Sequence, residues 1–227
     1  MGEPLDDPVG QSLRGSHQHF AITNGSAQRY RADVTVFASV DDHQNPECFV
    51  DLSALVAPGD TVAVVGGVVG ETPGFTVLFS GLGHQLVGNG VEGMKDRHVE
   101  PLGQGHVPQM LDLVARTEPG PFERRTHEMG KYFGLFFDGE LIAMAGQRMF
   151  PGVGHELSAV CTDPAFMRQG LAERLIRHLV ALDRDQGLNA FLHVAAQNTG
   201  AQKLYERLGF THRRDVEFTR LERVNSN

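Results

Sequence analysis

His155-Glu-Leu-Ser-Ala-Val-Cys-Thr-Asp-Pro-Ala-Phe-Met-Arg-Gln-Gly-Leu-Ala-Glu-Arg-Leu-Ile176 is the stretch whose reading decides the fold of this chain. Leu157 to Thr162 is a short apolar, β-branched run, and it stops at Asp163-Pro164, because proline cannot continue a central ladder. After Gln169-Gly170 the period changes. Leu171, Leu175, Leu179 and Leu182 recur at three- and four-residue steps, with Glu173, Arg174, Arg177 and Asp183 on the other side. Gly187 marks the stop. A strand, a glycine-bearing turn and a helix start make an anion site. The first N–H groups of a helix lack internal partners, and roughly half a positive charge gathers there. Gly170 and Ala172 let a phosphate approach the backbone closely. The plain alternative is a strand-to-helix turn with glycine chosen for its backbone angles.

Further along, Ala190-Phe-Leu-His-Val-Ala reads as a strand, and Asn198-Thr-Gly-Ala-Gln-Lys-Leu-Tyr-Glu-Arg-Leu-Gly-Phe210 as a helix with its stop. In these two segments, taken in this order, the chain resembles the GNAT N-acetyltransferase superfamily. Met167 to Ala172 matches its Arg/Gln-x-x-Gly-x-Gly/Ala loop, and Asn198 to Phe210 its Asn-x-x-Ala-x-x-Leu-Tyr-Glu-x-Leu-Gly-Phe segment. The resemblance runs from about Val91 to the C-terminus. It implies an α/β (α+β) fold with a mixed, mostly antiparallel sheet flanked by helices.

The resemblance also implies a chemistry: acetyl transfer from acetyl-CoA to a primary amine of a small molecule by direct attack. The backbone of Met167, Arg168, Gln169, Gly170, Leu171 and Ala172 is expected to hold the pyrophosphate. Met167 departs from the family's Arg or Gln, so a side-chain contact is lost, which Arg168 partly replaces. The pantetheine arm is expected beside Val160, Cys161 and Thr162, with Asn198 holding the arm or the helix start. Glu156 is the expected general base, with His155 as its competitor on the opposite strand face, and Tyr205 the expected proton donor to the leaving thiolate. Cys161 is also weighed as a nucleophile, against the commoner buried strand cysteine. Two rival readings stand: a non-catalytic acyl-CoA-binding sensor, and transfer to protein amines.

Outward from this centre the sequence says less. The 227-residue chain carries a formal charge of −8, so no global basic field attracts nucleic acid or anionic lipid. Neither nucleic acid nor membrane is an expected partner; a small-molecule amine is, and a homodimer is allowed. Two isolated cysteines and the absence of a signal-peptide pattern fit a cytoplasmic protein. The eleven histidines form no metal-ligand spacing, His17-x-His19 included, so no metal is expected. The chain divides into residues 1–90, strand-rich and resembling a degenerate GNAT-like half, and residues 91–227, the acetyltransferase-like part. Residues 1–16 read as loose, and the glycine-rich run from Gly81 to Gly105 as the connection. Gly66-Gly67-Val-Val-Gly70 reads as a turn between strands rather than a nucleotide loop. Val107 to Ala115 is helical, Phe122 to Met129 a second helix, and Asp138-Gly139 a hairpin turn. In the family this second helix walls the acceptor pocket, which makes Phe122, Arg124, Arg125 and His127 candidates for acceptor contact.

Overall fold

The final strand does not sit at the edge of the molecule; it divides the N-terminal strands. In the computed structural model, which describes residues 3–67 and 69–224, β11 (Thr211–Arg223) lies between β4 (Thr61–Gly66) and β5 (Phe75–Val87). The other strands of this sheet are β1 (Ala21–Asn24), β2 (Ala27–Tyr30), β3 (Phe37–Val40) and β10 (Phe191–Ala195), in the order β1-β2-β3-β4-β11-β5-β10. Only β3 and β4 pair in parallel; the other neighbours are antiparallel. A second antiparallel sheet runs β6 (Glu100–Leu102), β7 (Tyr132–Phe137), β8 (Glu140–Gln147), β9 (Leu157–Thr162). The mixed, mostly antiparallel architecture expected from the sequence is the one observed.

The helices form where apolar spacing and caps agree. On α4 (Leu171–Arg184), Leu171, Leu175, Ile176, Leu179 and Val180 are buried in one cluster. Burying each is worth roughly 1.5–3 kcal/mol. On α3 (Val107–Thr117), with Pro108 in the first turn, Val107, Met110 and Leu113 turn inward. Asn198 caps α5 (Thr199–Leu208) by accepting from the Ala201 N–H at 3.1 Å, and Gly209 ends it at φ +101°. The β7–β8 hairpin turns at Asp138 and Gly139, both in left-handed backbone.

The structure departs from the sequence reading at several places. Residues 8–14 are not loose but form α1 (Pro8–Arg14), capped by Asp7 and burying Val9 and Leu13, one turn apart, against β3. Pro46–Ser53 forms α2, capped by Asn45. Phe122 to Met129 is not a helix beyond a short 3₁₀ turn from Thr126 to Met129. A segment this short cannot repay helix nucleation, and the buried Thr126 hydroxyl donates to the Val34 carbonyl instead. Gly81 to Val87 is strand, the second half of β5. The segment from Gly66 to Gly70 does link β4 to β5, with Val68 outside the described residues, but β11 lies between the two strands. The cut between 1–90 and 91–227 follows β5, which is hydrogen-bonded to β11 and β10 on its two sides, so residues 1–90 do not form a sheet of their own.

Buried polar groups also tie the two stretches together. His17 is 4% exposed, and its ring lies 2.9 Å from both the Tyr30 hydroxyl and the Met129 carbonyl. The carbonyl can only accept, so Nε2 carries the proton and Tyr30 donates to Nδ1. Burial lowers its pKa to about 4, against the hydrogen bond it donates to the Met129 carbonyl, which favours the charged ring. A folded-state pKa below the unfolded value of about 6.5 means stability that is full above pH 6.5 and is lost as pH falls through 4. Urea unfolding at pH 7 and pH 4 should therefore show a loss that is smaller by roughly 3 kcal/mol in His17→Gln than in the parent chain. An equal loss in both would show that His17 does not carry this pH dependence.

Candidate active site

β9 and β10 run side by side at only one point, a parallel bridge between Glu156 and Phe191, and then part. The outer edge of β9 is bonded to β8, which leaves its inner edge without a strand partner among the described residues. The β8–β9 register slips between Met144 and Gly146, and β9 takes up an extra residue there. Ala159 sits at this bulge with φ +51°, a conformation that costs a non-glycine residue on the order of 1 kcal/mol. Between the diverging strands is a cavity of about 680 Å³. Its walls include Val160, Cys161 and Thr162 on one side and Asn198 and Tyr205 on the other, with Met167 where β9 leads toward α4.

The turn into α4 is open. Arg168 (φ +62°) and Gly170 (φ +75°) are both left-handed. Among the described residues no side chain caps the helix, and no group accepts from the N–H groups of Gln169 or Gly170. Leu171, Ala172 and Glu173 are the first three helical residues, whose N–H groups have no intrahelical partner. Glu173, the one carboxylate in this turn, is drawn aside to Arg177 at 3.0 Å and Arg207 at 3.2 Å. Nothing lies within 4 Å of where a side chain at Gly170 would begin. Arg168, Gln169 and Gly170 are exposed, whereas the Leu171 side chain belongs to the core, so only its backbone is available there. These residues lie just past the cavity lining, which ends at Met167.

Tyr205 is 8% exposed and packs edge-to-face on Phe210, yet it lines the cavity and no group among the described residues bonds its hydroxyl. Burial raises its pKa to about 12. Cys161 is buried, and burial lifts its thiol to about 11, so it is not a thiolate nucleophile at neutral pH. His155 points away from the cavity. It bonds the buried Asp183 at 2.8 Å and stacks on Phe150.

Glu156 requires a correction. Its carboxylate is 1% exposed and does not line the cavity. Arg148 grips it with two bonds of 2.8 and 2.9 Å, and His193 adds a third of 2.8 Å. Burial alone would raise its pKa, but the Arg148 charge and the bonds from His193 and Arg148 hold it at about 2. A base for neutral pH needs a pKa near 7. Glu156 instead holds Arg148 and His193, which do line the cavity. Sequence reading missed both, because a lone Arg just past β8 and a lone His in the middle of β10 carry no motif.

The far wall comes from the N-terminal strands. Phe37 pairs with Ala63, Ala63 with Arg220, and Arg220 with Phe79, a row across β3, β4, β11 and β5 that lines the cavity. Beside it the Phe218 ring lies over Gly83, where any side chain would collide with it. The expected acceptor residues do not reach this space. Phe122 packs on Tyr132 in the core, and Arg125 is tied to Glu128 and Asp33. Arg124 and His127 are likewise absent from the lining, and the loop from Thr117 to Pro121 takes their place. Outside the cavity, His84 and His212 each bond Asp215 Oδ1 at 2.8 Å, their donor atoms within 4.8 Å of one another. Strand pairing assembles this cluster from residues that no sequence spacing connects, and each ring is already satisfied by the carboxylate.

Glu156→Gln should leave the Arg148 charge buried without a counter-ion, at a cost of about 3–5 kcal/mol. The expected readout is a lower urea midpoint; a variant of parental stability that is merely slow would restore the base role to Glu156.

Residues 91–210 match the acetyltransferase (GNAT) family. A crystal structure of a protein from Novosphingobium aromaticivorans, assigned to GNAT-family acetyltransferases, superposes with a TM-score of 0.91 at 34% identity, over 99% of this chain and 100% of that one. A GCN5-related N-acetyltransferase from Kribbella flavida (TM-score 0.61, 15% identity, 96% and 95% covered) shares the fold. So does a Drosophila protein (TM-score 0.64, 17% identity, 88% and 74% covered). No curated protein matches the chain. With a family match over more than half its length and a full-length relative at 34% identity, the chain belongs to the GNAT acetyltransferases and is an acyltransferase of that family.

Proposed function

We propose that the chain transfers an acetyl group from acetyl-CoA to a primary amine of a small molecule by direct attack. The observation that carries this reading is the unpartnered inner edge of β9 leading to the uncapped start of α4, with the Tyr205 hydroxyl in the same cavity. The pantetheine arm adds to β9 beside Val160, Cys161 and Thr162 as an extra strand would. The diphosphate rests on the backbone of the loop from Met167 to Ala172, with the Arg168 side chain free to reach it. Asn198, by capping α5, fixes the helix that presents Tyr205.

The amine must reach the thioester unprotonated. For a lysine-like amine at pH 7 this costs about 4.6 kcal/mol. Among the cavity-lining side chains, His193 and the exposed rim residue Glu118 are those able to accept a proton. We assign the role to His193, whose Nε2 gives up its 3.0 Å bond from the Gln85 side-chain amide to take the proton. Glu156 orients it through the bond to Nδ1. Attack forms the C–N bond and a tetrahedral oxyanion; collapse breaks the C–S bond and releases the thiolate. Full proton transfer from Tyr205 at about 12 to a thiol of about 8.5 is uphill by roughly 5 kcal/mol. Tyr205 therefore acts as a hydrogen-bond donor to the departing sulfur. The cavity volume lies in the range of small-ligand sites, and the wall of β3, β4 and β11 closes the acceptor end, which favours a small amine over a protein surface.

A thiol-release assay with an amine panel tests the reaction. Acetyl-CoA binding without acceptor-dependent thiol would point to a sensor instead. Tyr205→Phe should lower kcat at least tenfold with acetyl-CoA affinity unchanged, and an unchanged kcat rejects its role. Gly170→Glu should weaken acetyl-CoA binding at least a hundredfold by calorimetry, since it puts a carboxylate and a strained residue at the phosphate site. Tight binding by that variant would remove the loop from the cofactor site.

A further inference from the structure

Arg148 is 8% exposed, and Glu156 occupies its Nε and Nη2. Its Nη1 has no hydrogen-bond partner among the described residues, and the side chain lines the cavity. The guanidinium lies over the Phe37 ring, 4.5 Å from its centroid, so the group is held flat against the wall. A donor that faces a ligand cavity and meets no protein acceptor is available to a ligand.

A second arginine stands on the same wall. Arg220 pairs through its backbone with Ala63, which pairs with Phe37. Phe37, the ring beneath the Arg148 guanidinium, is therefore about two strands, or roughly 10 Å, from Arg220 along the sheet. Arg220 gives Nη2 to the Thr61 hydroxyl at 2.6 Å and has no carboxylate within ion-pair distance among the described residues. In a chain with 28 acidic and 20 basic residues, an arginine without an acidic partner inside a cavity runs against composition. The one carboxylate in the lining is Glu118, exposed on the outer loop.

We infer that the acceptor is an amine that also carries a carboxylate, bound by Arg148 Nη1 and Arg220. This deepens the small-amine reading above and rests on it. The coenzyme A diphosphate does not compete for these donors, because its proposed seat is the start of α4, while Arg220 stands on the wall built by β3, β4 and β11 and Arg148 lies against Phe37 of that wall. Glu156 fixes Arg148 with two parallel bonds, so the free N–H is pre-oriented and little side-chain freedom is lost on binding. The recognition is geometric as well as electrostatic. A neutral amide in place of the carboxylate leaves Nη1 facing an uncharged partner, and a hydrocarbon leaves it with none.

The test uses the full chain, acetyl-CoA and matched acceptors: a series of α- and ω-amino acids, each against its own carboxamide. The acid should exceed its amide in kcat/KM by tenfold or more, mostly through KM. Arg220→Gln should reduce that ratio to within about threefold of one, and Arg220→Lys should restore part of it, with acetyl-CoA affinity and thermal midpoint as in the parent. Arg148→Lys is the second variant, and its loss of preference counts only where the thermal midpoint is retained. Amides that match or exceed their acids overturn the inference, and so does a preference that survives Arg220→Gln. If no amine releases thiol while acetyl-CoA still binds, the small-amine reading fails first and takes this inference with it.

Discussion

Glu156 holds the two sheets together at the one backbone bridge between them among the described residues. Its carbonyl accepts from Arg148 at the end of β8, its N–H donates to Met149, and the neighbouring His155 carbonyl receives the N–H of Phe191 from β10. Its side chain then bonds Arg148 on one side and His193 of β10 on the other. Burying a carboxylate and a guanidinium is costly, and only their close pairing with satisfied hydrogen bonds offsets it. Beyond this clasp β9 and β10 diverge, since the bulge at Ala159 bends β9. The same residue thus closes the floor and presents one arginine and one histidine to the space above it.

That arrangement gives the N-terminal residues a use that their own sequence does not announce. They contribute β3, β4 and β5 to a sheet completed by β11 and β10, and the Phe37–Ala63–Arg220–Phe79 row closes the acceptor end. The family match begins at residue 91, but the cavity does not. A glycine-poor β5 would not fit: the ring of Phe218 crosses it at Gly83. The cavity draws one wall from β9 and α5 and the other from the shared sheet.

What was legible in the sequence was local. The α4 and α5 boundaries follow from leucine spacing, the Asn198 cap and the glycines at 187 and 209, all within a few residues of one another. The open glycine turn before α4 was readable for the same reason. The base assignment failed because the partners of Glu156 come from Arg148 and His193, which a strand pattern does not link to it. The insertion of β11 between β4 and β5 is a non-local pairing, invisible to any window. Ala159 in left-handed backbone defies the glycine and asparagine signal by which such positions are found. α1 was lost behind a polar composition, although Asp7, Pro8, Val9 and Leu13 carried its cap and its buried stripe.

The central claim is that the free edge of β9 and the uncapped amides at the start of α4 form one continuous seat for a thioester carrier. A crystal structure of the chain with coenzyme A tests it most directly. The account predicts the diphosphate on the N–H groups from Arg168 to Ala172, the arm along Val160 to Thr162, and the sulfur within reach of the Tyr205 hydroxyl. A coenzyme A whose diphosphate sits elsewhere, with those amides facing only water, would contradict it.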